Sequence, residues 1–172
     1  MKAAFIQISF LLLVSQLIFP SCNKQFYQYD SAEILSNDKI DEILLVLEDE
    51  EFKRSLDKKD IPRFVLNNIR DWKPEYKLAN PDEKYQVSDL RLKGLVPRRL
   101  IALFKNKKHL FIAYEHDGRG KHEHIMYFEL INGMVNDFWV GSMCNLEDLN
   151  DLEKISSCLK TKINVKTNTL EF

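Results

Sequence analysis

An α+β fold built on an antiparallel sheet is what this sequence predicts, and three observations predict it. Between residues 99 and 142, apolar runs of strand length alternate with short polar turns. Asn132-Gly133 separates two of those runs and is the strongest two-residue hairpin signal. Apolar residues at helical spacing flank this stretch, before it at 40–47 and 61–72 and after it at 146–159. Together they give a four-stranded antiparallel meander with two N-terminal helices and one C-terminal helix packed on one of its faces.

The first helix is expected over 38–56, capped by Ser36 or Asn37, with Ile40, Ile43, Leu44 and Leu47 on its buried stripe. Its acids Glu48, Asp49, Glu50 and Glu51, followed by Lys53 and Arg54, read as a solvated face. A second helix over 61–72 tolerates Pro62 in its first turn and stops before Pro74, burying Ile61, Phe64, Val65, Ile69 and Trp72. The stretch 73–97 carries Pro74, Asn80-Pro81-Asp82 and Pro97, which predicts loop with a short strand at Tyr85–Ser88.

The four strands follow as Leu100–Phe104, Leu110–Tyr114, His124–Ile131 and Met134–Val140. Trp139 belongs to their core, since aromatic strand residues dominate small cores. The last helix spans about 146–160, with Leu146, Leu149, Leu152, Ile155 and Leu159 in a stripe and Asn150/Glu153 as an alternative capping box. Ile163 and Val165 in the tail 162–172 make a weak fifth, edge strand.

The amino terminus has a different character. After Met1-Lys2, residues 3–19 hold no charge, and only Gln and Ser interrupt their apolar run. The run is slightly short for a membrane-spanning helix and has no polar face to meet solvent. It ends Ile18-Phe19-Pro20-Ser21-Cys22, which resembles the lipobox of bacterial lipoproteins, with Pro20 where Ala or Ser is commoner and Phe19 in place of Leu or Ala. The resemblance covers the first 22 residues. It implies that Cys22 receives a diacylglycerol on its thiol, that cleavage precedes it, and that its new α-amine is acylated. One buried acyl chain holds a protein to a bilayer only marginally, whereas two or more hold it stably. Asn23, where Asp would suggest inner-membrane retention in some envelopes, points to the outer membrane facing the periplasm. The organisation implied is a signal peptide over 1–21, a lipidated tether over 22–36 and a single domain over 37–172.

Cleavage before Cys22 would leave 151 of the 172 residues, enough for one core. Lys2 is then the one charge lost, so 24 basic residues face 26 acidic ones, a net charge of −2. Both signs are spread along the chain and no basic block is present, which excludes a nucleic-acid reading. With Cys22 acylated, Cys144 and Cys158 remain, an even pair in an oxidising compartment. A continuous helix between them would hold them about 20 Å apart, too far for a disulfide, which needs Cα atoms within about 7 Å. A bridge therefore requires Cys144 at a strand end and a helix that starts late, near Asn150; the other reading is two buried thiols.

Three of the four histidines, His116, His122 and His124, gather around Gly118-Arg119-Gly120. On a strand, His122 and His124 share a face, and imidazoles from adjacent strands can hold zinc or copper. The plainer reading is a solvated hairpin loop, with Arg119 at its tip able to meet a partner's carboxylate. The glycine pair lacks the further residues of a phosphate loop. Ser142 and Ser157 lack a nucleophile elbow, and Cys144 and Cys158 lack a histidine-bearing signature. No cofactor is expected. The sequence thus predicts a non-enzymatic, protein-binding envelope lipoprotein, of inhibitor or immunity type or an accessory of a complex. The alternative is a metal-binding protein or small metal-dependent enzyme using the three histidines.

Overall fold

The computed structural model describes residues 39–87, 92–116, 122–142, 149, 151–161 and 166–167. Helix α1 (Lys39–Asp49) opens the described chain and buries Ile40 and Ile43, with Leu44, Val46 and Leu47 partly covered. It ends seven residues earlier than the sequence suggests. Its last turn carries acids and no base, the wrong sign for a helix C-terminus. Phe52 then sets its ring edge-on to Phe111 at 5.4 Å, drawing the chain into the extended form. Lys53–Ser55 becomes strand β1, paired antiparallel with Leu103–Lys105.

A 3₁₀ turn (Lys58–Asp60) follows, capped by the Asp57 carboxylate accepting from the Lys59 amide. Helix α2 (Arg63–Trp72) starts after Pro62 and is closed by the Lys73 amide donating to the Ile69 carbonyl at 2.9 Å. It buries Val65 and Ile69 and stacks Trp72 on Phe138, with ring centroids 4.0 Å apart. The following loop lies along the sheet. Ala79 bridges Arg99 in parallel, and Tyr85 bridges Val96. The strand expected at 85–88 is thus a single bridge, and residue 88 lies outside the described residues.

Strands β2 (Arg98–Lys105), β3 (His109–His116), β4 (His122–Ile131) and β5 (Met134–Ser142) form the expected meander. Asn132 (φ 51°) and Gly133 (φ 76°) make the tight turn between β4 and β5, where left-handed backbone favours this dipeptide. Helix α3 (Leu152–Thr161) buries Ile155, Cys158 and Leu159. The two residues of β6 (Lys166–Thr167) pair with Gly141 and Ser142, so the sheet order is β1-β2-β3-β4-β5-β6. Residues 1–38, with the signal segment, the tether and the caps Ser36 and Asn37, lie outside the described residues, as do 143–148 and 150.

The helices divide between the two faces of the sheet, unlike the one-sided arrangement the sequence suggests. On one face Leu110, Ile112, Met126, Phe128 and Val140 meet Val65 and Ile69 of α2. On the other, Phe111, Ala113, Ile125, Tyr127 and Trp139 meet Ile40 and Ile43 of α1 and Ile155 and Leu159 of α3. The physical reason is in the central strands. Leu110 to Tyr114 is an unbroken buried run, and a strand without polar alternation needs cover on both sides. Each large side chain so buried contributes about 1.5–3 kcal/mol. The sheet is the middle layer of three.

Candidate functional site

Polar side chains interrupt the α2-side core at one end of the sheet, away from the Asn132-Gly133 turn. Register explains which they are. Tyr114 stands opposite His124, and His116 opposite both His122 and Arg98. A bulge between Leu100 and Ala102 shifts the alternation of β2, so Arg98 and Leu100 share the face of Leu103. The remaining member, Tyr76, comes from the loop after α2. Its amide donates to the Lys73 carbonyl at 2.8 Å, and the loop is held further on by the Lys58 amide donating to Asn80 Oδ1 at 2.8 Å.

The rings form a file. Tyr76 meets Tyr114 edge-on at 6.4 Å, Tyr114 stacks on His124 at 5.3 Å, and His124 stacks on His116 at 4.8 Å. The Arg98 guanidinium lies over the Tyr76 ring, 5.1 Å from its centroid. Tyr76, Arg98, Tyr114 and His124 are all buried, while His116 is half-buried. Burial raises the pKa of both tyrosines, that of Tyr114 well above its ordinary value, and the Arg98 charge opposes the rise at each. Both phenols therefore stay protonated and act as hydrogen-bond donors. Neither hydroxyl has a hydrogen-bond partner among the described residues.

The histidines expected to gather do so in part. Positions 116, 122 and 124 fall on one face of adjacent strands, although the His122 side chain lies outside the described residues. The His116 and His124 rings are nearly parallel, with 15° between their planes. A metal bound by imidazole lies in the ring plane about 2.0–2.1 Å from nitrogen, and two stacked planes share no such point. Among the described residues no group of three or more His, Cys, Asp or Glu is placed to hold a metal ion. Arg119, with Gly118 and Gly120, lies outside the described residues, as do Cys22 and Cys144. Cys158 is buried on α3 and disulfide-bonded, which sets aside the buried-thiol reading for that residue. The helix carrying it starts late, at Leu152, as a bridge between Cys144 and Cys158 would require. Trp139 is in the core, its ring folded over Gly141.

Two further polar pairs were not legible as sites. On the opposite face, Arg99 Nε donates to Glu115 Oε1 at 2.6 Å, and its guanidinium lies 4.4 Å from the Tyr85 ring centroid. This clamps the loop to the sheet around a buried carboxylate. The fourth histidine, His109, is buried with its Nδ1 2.9 Å from the Tyr127 hydroxyl. Burial lowers the His109 pKa, against the pull of Glu50 and Glu129, which favours the neutral ring beside the phenol hydroxyl. The signal that could have found it is diagonal register, since His109 faces Glu129 while Tyr127 faces Phe111.

Among the described residues no helix is long and apolar enough to cross a membrane. No family model, curated protein or solved structure matches this chain.

Proposed function

We propose that this chain is a lipid-anchored lipoprotein of the bacterial cell envelope, placed in the outer membrane and facing the periplasm, whose domain binds a protein partner. The observation that carries the reading is the uncharged apolar run of residues 3–19 closing on Pro20-Ser21-Cys22. The disulfide at Cys158 supports it, because disulfides persist in oxidising compartments such as the periplasm. An inhibitor or immunity-type role, or that of an accessory subunit, fits a domain whose polar clusters are packed into its core. Ile131 and Met134 support a binding role. They stand opposite each other at the β4–β5 turn and are 45% and 59% exposed, while their strands otherwise bury their large apolar residues or half-cover them.

Metabolic labelling with a fatty-acid probe tests the anchor. The wild-type chain takes the label and the Cys22→Ala chain does not; label that persists in Cys22→Ala refutes it. A photo-crosslinking residue at position 131 tests the contact. It yields a discrete adduct in the envelope that Met134→Asp abolishes, and an adduct pattern indifferent to Met134→Asp refutes a contact through the hairpin.

A further inference from the structure

We propose that the outward side of α2 lies against the anionic headgroups of the bilayer that carries the lipid anchor, with Lys59, Arg63 and Arg70 meeting their phosphates. The proposal deepens the lipoprotein reading and rests on it for the nearness of a membrane. It starts from the way charge is sorted between the two faces of the sheet. Helix α1, on one face, holds four acids and one base, while α2, on the other, holds two arginines and one acid. Lys160 of α3, beside α1, is taken up by Glu48.

Helical spacing gathers the bases of α2. Residues 63, 67 and 70 are four and three positions apart and share the side opposite Val65 and Ile69. All three are exposed, as is Lys59 in the 3₁₀ turn before them, and Asp71 stands at the rim of the stripe. Lys59, Arg63 and Arg70 have no ion pair among the described residues, whereas neighbouring Lys58 and Lys73 are paired with Glu83 and Glu75. Arg63 is also misplaced for the helix itself. It stands in the first turn, which has no acid and no side-chain cap from Pro62, where the dipole favours negative charge. A base kept there against the helix points to an anion outside it.

The tether decides which anion. Residues 22–38 reach at most about 60 Å, more than the width of a domain of this size, so either face can come to the bilayer. Tethering supplies an effective concentration on the order of millimolar, so weak contacts suffice. Each base near an anionic leaflet favours docking about fivefold, and three favour it about a hundredfold. The acids of α1 oppose the inverted pose. With α2 down, the sheet lies parallel to the bilayer, and Ile131 and Met134 at its end stay clear for a partner.

The test uses the full chain in vesicles of phosphatidylcholine, alone or with phosphatidylglycerol, and a photo-crosslinking residue at position 67. A second chain carries it at position 45, where Leu45 is 60% exposed on α1. With phosphatidylglycerol, position 67 gives a phospholipid adduct and position 45 gives little. Arg63→Gln and Arg70→Gln each lower the yield at 67 about fivefold, and raising NaCl from about 0.1 to 1 M lowers it further. Arg63→Glu loses the adduct yet unfolds at or above the wild-type temperature, since an acid suits that helix end, which separates docking from folding. Equal lipid adducts at 67 and 45 overturn the proposal, as does a yield indifferent to phosphatidylglycerol or to both Gln variants. A protein adduct at 67 in intact envelopes, in place of lipid, assigns the face to a protein partner and overturns it too. Flotation with pure phosphatidylcholine vesicles reads the anchor separately. A chain that fails to float there refutes the anchor, and Arg63-dependent adducts with phosphatidylglycerol still uphold the contact of α2 with anionic lipid.

Discussion

Gly141 on β5 makes a demand on its neighbour that can be measured. Along a strand, residues two apart share a face, and the Trp139 ring lies back over Gly141 on the α1/α3 side of the sheet. A Cβ at 141 would fall less than 3.0 Å from three atoms of the indole, closer than real Cβ contacts allow. Trp139 is 2% exposed and cannot swing aside without disturbing the core around Tyr127 and Ile155. Gly141→Ala therefore overpacks a filled site, which costs about 1–3 kcal/mol. Replacing glycine by alanine in regular structure ordinarily gains roughly 0.5–1 kcal/mol. The net expectation is a loss of about 1–2 kcal/mol, which lowers Tm by about 2–8 °C for a chain of this size. Urea unfolding followed by circular dichroism gives the value. In a Trp139→Leu background the clash disappears, so Gly141→Ala becomes neutral or stabilising by about 0.5 kcal/mol. A Gly141→Ala chain as stable as the wild type refutes the packing described.

Three other outcomes are expected. The lowered pKa of His109 means that the unfolded chain takes up a proton at about pH 6.5 that the folded imidazole resists. Its contribution is intact above pH 6.5 and is lost progressively as pH falls below it; an unchanged slope of unfolding free energy between pH 5 and 7 in His109→Gln contradicts this. Reduction of the Cys158 disulfide lowers stability by about 3 kcal/mol if the closed loop is about 15 residues, as it is for a bridge to Cys144. Peptide mapping without reduction recovers residues 144 and 158 in one linked pair, and a Cys22–Cys158 peptide would displace the acyl anchor altogether. Glu115→Gln removes the charge that holds Arg99 and lowers stability by about 1–3 kcal/mol, the loss of a charge-assisted hydrogen bond whose guanidinium is 35% exposed and stays hydrated; a loss below about 0.5 kcal/mol in chemical unfolding shows that the clamp contributes nothing.

The meander was readable because each of its strands is an apolar run bounded by turn chemistry, and Asn132-Gly133 fixed one hairpin outright. Helix α2 was readable from Pro62 at its start and Pro74 beyond its end. Strand β1 was not, since Lys53-Arg54-Ser55 has no apolar alternation and is extended through its pairing with β2 and the contact of Phe52 with Phe111. The placement of helices on both faces was implicit in Leu110–Tyr114, where every residue is apolar, but a run of that length does not announce how it is covered. For the polar cluster, the histidine positions were legible from strand alternation alone. Arg98 and Tyr76 were not: a bulge puts Arg98 on the cluster's face, and a loop 38 residues before Tyr114 delivers Tyr76. Both depend on tertiary geometry that local pattern does not encode.

The envelope function proposed here rests on Cys22 being the lipidated first residue of the mature protein. Intact mass spectrometry of the chain extracted from the membrane fraction tests it most directly. The expected result is one species beginning at Cys22 that carries the mass of a diacylglyceryl thioether and an amide-linked acyl chain. A mature chain that begins elsewhere, or begins at Cys22 without acyl mass, contradicts it.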